Sequence, residues 1–484
     1  MTFSADIAAP SPRDTVSEAV TTPPEASAWR VAWWMWLLAG VLFLAYSAVS
    51  LRMHARLLSN SYDLGVFEQI MRSYAGGQLP VAELLGPDYP ALADHFHPIL
   101  VLLAPFYWLW PSAETLLVAQ AVLIAVSGLP LMAWARRGLG DMAAVAIGVC
   151  YGISWGIASA IGFDFHEVAF AAPLLACSLA ALGCGRLHAA AYWALPLLLV
   201  KEDLGLTVAA VGVVVAIRGN RKLGVTTACI GLITIAVVLL VVLPAFNPAG
   251  AYGRWYMLEG TGGGSGPMDL LNRGTLGLII PEVKVITLIV LLAPTLFLAL
   301  RSPLLWIALP TILWRFSTNY APHWETDYHY SLVLMPIVFA AFIEALIRRR
   351  SRASSVRRYL LGSAAVSLIL LPHYPLWQLF QPATWHTEPR VAAAHRFMKK
   401  IPDDATVHAS TYLVPHLTNR TRVSLYGWHT SRPNPEWIMV DTWVAPARRW
   451  PLSAVTERIM LDQAIKKHGY RMVAEESGFV LLNR

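Results

Sequence analysis

Long uninterrupted apolar runs alternate with short polar stretches from residue 31 to residue 372. Val31–Ser50, Thr115–Ala135, Leu223–Leu243 and Val283–Leu300 are each near the ~20 residues that cross a hydrocarbon core as a helix. Run length, combined with the preference of Lys and Arg for cytoplasmic loops, predicts about eleven spans. They fall near 31–50, 115–135, 142–162, 168–185, 187–200, 203–217, 223–244, 283–300, 302–315, 329–347 and 357–372. The expected fold class is therefore an all-α polytopic membrane protein over residues 29–372, with long outer loops at 51–114 and 246–282.

Smaller patterns fill the loops and the tail. Leu64, Phe67, Met71 and Tyr74 recur at helical spacing and Gly76-Gly77 ends the series, which predicts a short amphipathic helix lying on the outer membrane surface. Pro98–Trp110 is apolar but too short to cross, so it reads as a juxtamembrane or re-entrant helix. Gly260–Gly266 is a glycine-rich stretch within the second long loop. From about residue 380 the pattern changes. Val407–Ser410, Arg422–Leu425, Trp437–Asp441 and Tyr470–Leu482 read as strands, Val414–Thr418 and Glu457–Lys467 as helical, which together predict a small α/β domain over 380–484.

Composition supports this division. At 56% hydrophobic and 14% charged, the 484-residue chain is too apolar for a soluble globular protein. The net charge of +7 is no sign of nucleic-acid binding, because much of the excess lies in short loops where it sets orientation. With a cytoplasmic N-terminus, Arg136-Arg137, Arg186, Arg218/Arg221/Lys222, Arg301, Arg348–Arg350 and Arg357-Arg358 all fall inside. The same topology places the C-terminal domain and nearly all of the histidines outside. Residues 1–28, rich in Ser, Thr, Pro and Ala, are expected to form a disordered cytoplasmic tail with no cleaved signal peptide. Cys150, Cys177, Cys184 and Cys229 lie within apolar runs without metal-ligand spacing and read as small core residues.

The outer side holds the candidate chemistry. Ionisable groups are costly to desolvate at a membrane boundary, so their gathering on one side points to function. Asp63 opens the surface helix, where it serves either as an N-cap or as a general base or metal ligand. His95 and His97 alternate in an extended stretch and share a face, suiting one ion or one phosphate, or else they bond to loop carbonyls. Asp164, His166 and Glu167 exceed what a tight turn requires and are candidate metal ligands. Lys201-Glu202-Asp203 interrupt two apolar runs, offering either a point charge for phosphate or a self-neutralised triplet. His323, Glu325, Asp327 and His329, with Arg315 upstream, mix hard oxygens and imidazoles that suit Mg²⁺, Mn²⁺ or Zn²⁺. Gly260–Gly266 lacks a following Lys-Ser/Thr, so ATP-driven chemistry is not expected.

Five motifs in order carry a family resemblance: Tyr62–Gln69, His95–Pro98, Phe163–Glu167, Lys201–Asp203 and Tyr328–Ser331, with an echo at Pro415–Leu417. Over residues 45–370 the chain resembles a bacterial family of predicted membrane proteins, domain of unknown function 2079. That family is similar in layout to the GT-C glycosyltransferases, which transfer sugars from polyprenyl-phosphate carriers on the outer face of the membrane. The resemblance implies that Asp63 acts as base or metal-site residue; Asp63 is followed by Leu64 rather than by a second acid. It also implies an inner-membrane enzyme whose partners are a polyprenyl-phosphate sugar and membrane lipid. A transporter or flippase with an ion relay, or an inactive lipid-binding scaffold, are the competing classes.

Overall fold

The computed structural model describes residues 31–258, 275–445 and 448–484. The expected tail at 1–28 and Gly260–Gly266 lie outside the described residues. The fold is mostly helical, with one small sheet near the C-terminus.

Five described helices are long and apolar enough to cross a membrane: α1 (Trp33–Ala55), Ala113–Leu139, Arg221–Phe246, His329–Ile347 and Ala353–His373. Asp141–Gly152 and Trp155–Gly162, bent by 41°, make a sixth if taken as one span. The expected count of about eleven is not reached, because several apolar runs do not stay one helix. The run at 283–300 breaks after Leu292 into a 3₁₀ turn, followed by Leu296 and Phe297 in the left-handed region. The run at 302–315 begins as the 3₁₀ segment Pro303–Ala308 and only then becomes a helix, Leu309–Ser317. Leu204–Ile217, at 14 residues, reaches about 21 Å at ~1.5 Å per residue, against a core of roughly 30 Å. An apolar run reports desolvation; it does not report helix continuity. Pro98–Leu109 is one of these shorter apolar helices, as expected, and exposes Val101, Leu102, Phe106, Trp108 and Leu109.

One helical hairpin depends on glycine. Leu204–Ile217 lies so close to Arg221–Val237 that a Cβ on Gly212 would stand 2.6 Å from the Gly224 carbonyl oxygen and the Ala228 nitrogen. Small residues permit such backbone contact where no hydrophobic effect drives helices together. Gly212→Leu should therefore abolish accumulation of folded protein in membranes. Gly40→Ala, where a Cβ would meet nothing within 4 Å, should leave it unchanged. Equal accumulation of the two variants, read by size-exclusion profile, would remove this hairpin from the packing account.

The C-terminal sheet runs in the order β2-β1-β3-β5-β4, from β1 (Thr406–Ala409), β2 (Arg422–Leu425), β3 (Trp437–Asp441), β4 (Arg471–Glu476) and β5 (Phe479–Asn483). β2, β1 and β3 are parallel, while β3, β5 and β4 pair antiparallel. The single strand expected at 470–482 is thus a hairpin turning at Ser477-Gly478. Strand alternation gives the sheet two apolar faces. Phe479 and Leu481 join the main core, whereas Val480 and Leu482 pack with Leu461 and Ala464 of the helix Ala454–His468.

Protein covers both sides of the helix α2 (Val66–Ala75): Phe67 packs against His97, Phe165 and His166, and the C-terminal domain bonds to Glu68, Gln69 and Arg72. Gln69 Nε2 donates to the Val423 carbonyl at 2.9 Å, and Arg72 donates to the Thr421 carbonyl at 3.0 Å and to Asp404 at 2.6 Å. Arg432 of the domain pairs with Glu83 and Asp88 of the same loop. His54, in the last turn of α1, stacks on His416 with ring centroids 4.0 Å apart. An amphipathic pattern is the same whether lipid or protein covers it, which is why periodicity misassigned the cover.

Glu68 lies wholly buried in this junction, accepting from the Tyr107 hydroxyl at 3.1 Å and from the Thr418 hydroxyl. Burial pushes its carboxyl up to about 8, against the opposing bonds from Thr418 and Tyr107. An undocked carboxyl ionises near the ordinary glutamate value, so the docked state binds the extra proton between there and about 8. Docking therefore weakens as pH rises through that window. Glu68→Gln, neutral at every pH, should flatten this slope. Hydrogen exchange of β2 amides at about pH 6 and about pH 9 reads it; an unchanged slope in the variant would assign the pH dependence elsewhere.

Candidate functional site

Three of the sequence clusters meet at the end of the helical bundle that carries the C-terminal domain. Asp63 sits in a π-helical turn, Ser61–Gly65, that feeds α2. No side chain caps this turn. The Asp63 carboxylate instead accepts from His166 Nε2 at 3.1 Å when the imidazole proton is on that nitrogen. Gly65 lets the turn approach the domain, since a Cβ there would be 2.9 Å from Leu84 and 3.2 Å from Val414.

His166 is fixed from below. Gln120, on the span Ala113–Leu139, donates to the Asp164 carbonyl and accepts from the His166 backbone N–H at 3.0 Å. Asp164 has the left-handed φ of 59°, which turns its carboxylate to the Asn60 N–H, 2.6 Å away. Burial pushes that carboxyl up to about 7, with the Asn60 and Ser59 bonds opposing. The His166 ring stacks on His329 with centroids 3.4 Å apart and meets Phe67 edge-on. The result is asymmetric: the His166 side chain is 5% exposed and that of Asp63 is 20% exposed, so the carboxylate is the open member of the pair.

A second group adjoins it. Lys201 Nζ lies 2.7 Å from Glu167 Oε1, and Glu202 accepts from His95 Nδ1 at 2.7 Å and from the Phe96 N–H at 3.1 Å. Burial works against the Lys201 ammonium, but Glu167, Glu202 and Asp203 together hold it well above the usual lysine range. Glu202 is held down at about 2, where His95 and Lys201 overcome burial. Asp203 is pushed up to about 6 by burial, with Lys201 opposing. His97 is buried against Phe67 and lowered to about 4, chiefly by desolvation, so it stays neutral. The two histidines thus do different things rather than share one ligand.

Sequence reasoning missed the clamp over this group. Asp94 takes both forks of Arg254, at 2.9 and 2.7 Å, across 160 residues of chain. The one available signal was an arginine in a predicted outer loop, where positive charge is disfavoured. The charges of Arg315, Lys201, Arg254 and His95 all bear on His323.

Arg315, expected to bind phosphate, is buried and grips its own neighbourhood. It donates to the carbonyls of His323 at 2.9 Å and Tyr330 at 3.2 Å, folding the 323–331 loop over the helix end. His323 is held there by Thr318 Oγ1 at 2.9 Å and is lowered to about 3, first by burial and then by Arg315. Glu325 is half-buried and Asp327 is exposed; neither joins the contacts at Asp63 or Lys201 described above. Asp164, His166, Glu167, His323, Glu325, Asp327 and His329 do not fit a divalent ion as they stand. Among the described residues no three His, Cys, Asp or Glu side chains gather to hold a metal. The nearest donors are already engaged: His166 with Asp63, and Glu167 with Lys201.

What remains is an open carboxylate steered by a buried imidazole, beside a buried ammonium and a partly open guanidinium.

Residues 53–481 match the profile of a family described as predicted membrane protein, DUF2079. No curated protein matches the chain. Among solved structures, it is similar to ArnT from Cupriavidus metallidurans bound to undecaprenyl phosphate, at 14% identity and a TM-score of 0.49, over 93% of this chain and 97% of that one. The apo state of the same protein gives 13% identity and a TM-score of 0.45 over the same shares.

Proposed function

This chain belongs to the DUF2079 family of predicted membrane proteins, and from the chemistry of its own site we propose that it is a membrane glycosyltransferase that moves a sugar from a polyprenyl-phosphate carrier to an envelope acceptor. The observation that carries this reading is the open Asp63 carboxylate, held 3.1 Å from His166 at the same bundle end as Lys201 and Arg254.

The acceptor hydroxyl oxygen attacks the anomeric carbon and loses its proton to Asp63. The bond from that carbon to the phosphate oxygen breaks, and the departing phosphate keeps the electron pair. Lys201 and Arg254 stabilise the charge that develops there, most effectively where water is excluded. His166 donates to Asp63 and so keeps one carboxylate oxygen turned toward the acceptor. No step runs through a metal. The polyprenyl tail rests against the apolar faces of the spans. The Lys and Arg bias of the short loops supports placing the site and the C-terminal domain at the outer face of the inner membrane, with the N-terminus cytoplasmic.

Native mass spectrometry of protein supplied with polyprenyl-phosphate sugars tests the reading. Retention of the intact lipid sugar, followed by its loss on addition of an envelope extract, is the expected result. Retention of bulk phospholipid alone would move the protein to the transporter or scaffold class. A reporter fused after Arg484 should be extracytoplasmic.

A further inference from the structure

Beside Asp63, three aromatic rings from distant parts of the chain meet. Tyr62 precedes Asp63 in the π-helical turn, and its hydroxyl donates to the Leu84 carbonyl at 3.0 Å, which fixes the ring. Trp428 follows β2, and Trp450 precedes the helix Ala454–His468. Tyr62 stands edge-on to Trp428 at 5.9 Å and to Trp450 at 5.2 Å, while the two indoles are 4.8 Å apart and inclined by 45°. The Trp450 backbone is pinned as well, its carbonyl accepting from Thr411 Oγ1 at 2.5 Å.

Rings that only fastened the domain would be covered, as Phe67 and Tyr107 are. Trp450 instead keeps 42% of its surface open, Tyr62 and Trp428 are half-buried, and the neighbouring His429 is exposed. Polar groups border the indoles. His429 tilts against Trp428 at 4.5 Å, Tyr412 and Arg448 flank Trp450, and the charges of Asp94 and Arg254 bear on Tyr62. The cavity behind Trp450 is only about 20 Å³, room for one water, so a ligand can lie on the rings but not enter behind them. Partly exposed rings with a polar border match a ring that has C–H bonds on its face and hydroxyls at its edge. The π face is negative and attracts C–H groups polarised by neighbouring oxygens.

We propose that Tyr62, Trp428 and Trp450 form a stacking platform for a pyranose ring of the acceptor glycan. The assignment to the acceptor rests on the transferase reading, because Asp63, next to Tyr62, is there the group that takes the acceptor's proton. The platform explains why a soluble domain is bound so closely to this turn: it supplies two of the three rings.

Fluorine NMR of the full chain in nanodiscs, labelled with fluorotryptophan, tests the platform. The signals of Trp428 and Trp450, among 19 tryptophans, are assigned through Trp428→Phe and Trp450→Phe. The probes are methyl glucoside, galactoside, mannoside and N-acetylglucosaminide, each at millimolar concentration, and undecaprenyl phosphate as a separate titrant. The expected result is that at least one methyl pyranoside moves both signals, and that Trp450→Ala weakens its binding at Trp428 by about tenfold. Movement with undecaprenyl phosphate alone would make the rings a lipid contact and overturn the proposal. Immobile signals with every pyranoside would leave them as interface packing and also overturn it. Sugar binding in a protein that retains no polyprenyl phosphate keeps the platform and sinks the transferase reading, so the two failures are separable.

Discussion

Asp63→Asn is expected to lower transfer by about 10²- to 10⁴-fold, the usual worth of a general base, while folded protein accumulates as before. Asparagine keeps an oxygen to accept from His166 Nε2, so the 3.1 Å contact and the π-helical turn survive the change. Only the ability to take a proton is lost. Transfer from a polyprenyl-phosphate sugar, measured alongside thermal unfolding in detergent, separates the two effects. Full activity in this variant would remove Asp63 as the base and direct attention to Glu202 or Asp203.

Lys201→Met has two consequences that can be told apart. The side chain of Glu167 is 2% exposed and faces the ammonium at 2.7 Å, so removing the lysine leaves a buried carboxylate unpaired. Losing one partner of a buried pair costs about 3–5 kcal/mol, enough to lower the unfolding temperature markedly. The same change removes a cation from the developing phosphate charge, worth about 10²- to 10³-fold in rate. Lys201→Met combined with Glu167→Leu eliminates both charges and should restore stability without restoring transfer. If the double variant regained activity, Lys201 would be a structural cation and the phosphate would lie elsewhere.

Local patterns were legible in the sequence where one segment determines them. The strands Arg422–Leu425 and Trp437–Asp441 follow from short β-branched and apolar runs. Five motifs in fixed order pointed to Asp63, His166, Lys201 and Glu202, and the fold brings these to one end of the bundle. Partnership across the chain was not legible. Nothing in the residues around Asp94 names Arg254, and nothing around Arg315 shows that it binds the His323 and Tyr330 carbonyls. The count of about eleven spans is not confirmed for a related reason: Pro303 and the left-handed Leu296 and Phe297 break runs whose hydropathy is uniform.

The cover over α2 has a consequence for how the protein is made. Glu68 and Thr418 are separated by 350 residues, so α2 leaves the ribosome long before the domain that closes over Glu68. At roughly 5–20 residues per second, Glu68, Gln69 and Arg72 wait on the order of 20 to 70 seconds for their partners in the domain. The junction around Glu68 is finished last, by the C-terminal domain. A premature stop between the helix Ala353–His373 and β1 therefore yields inserted helices whose first loop lacks its domain partners, a substrate for quality-control proteases.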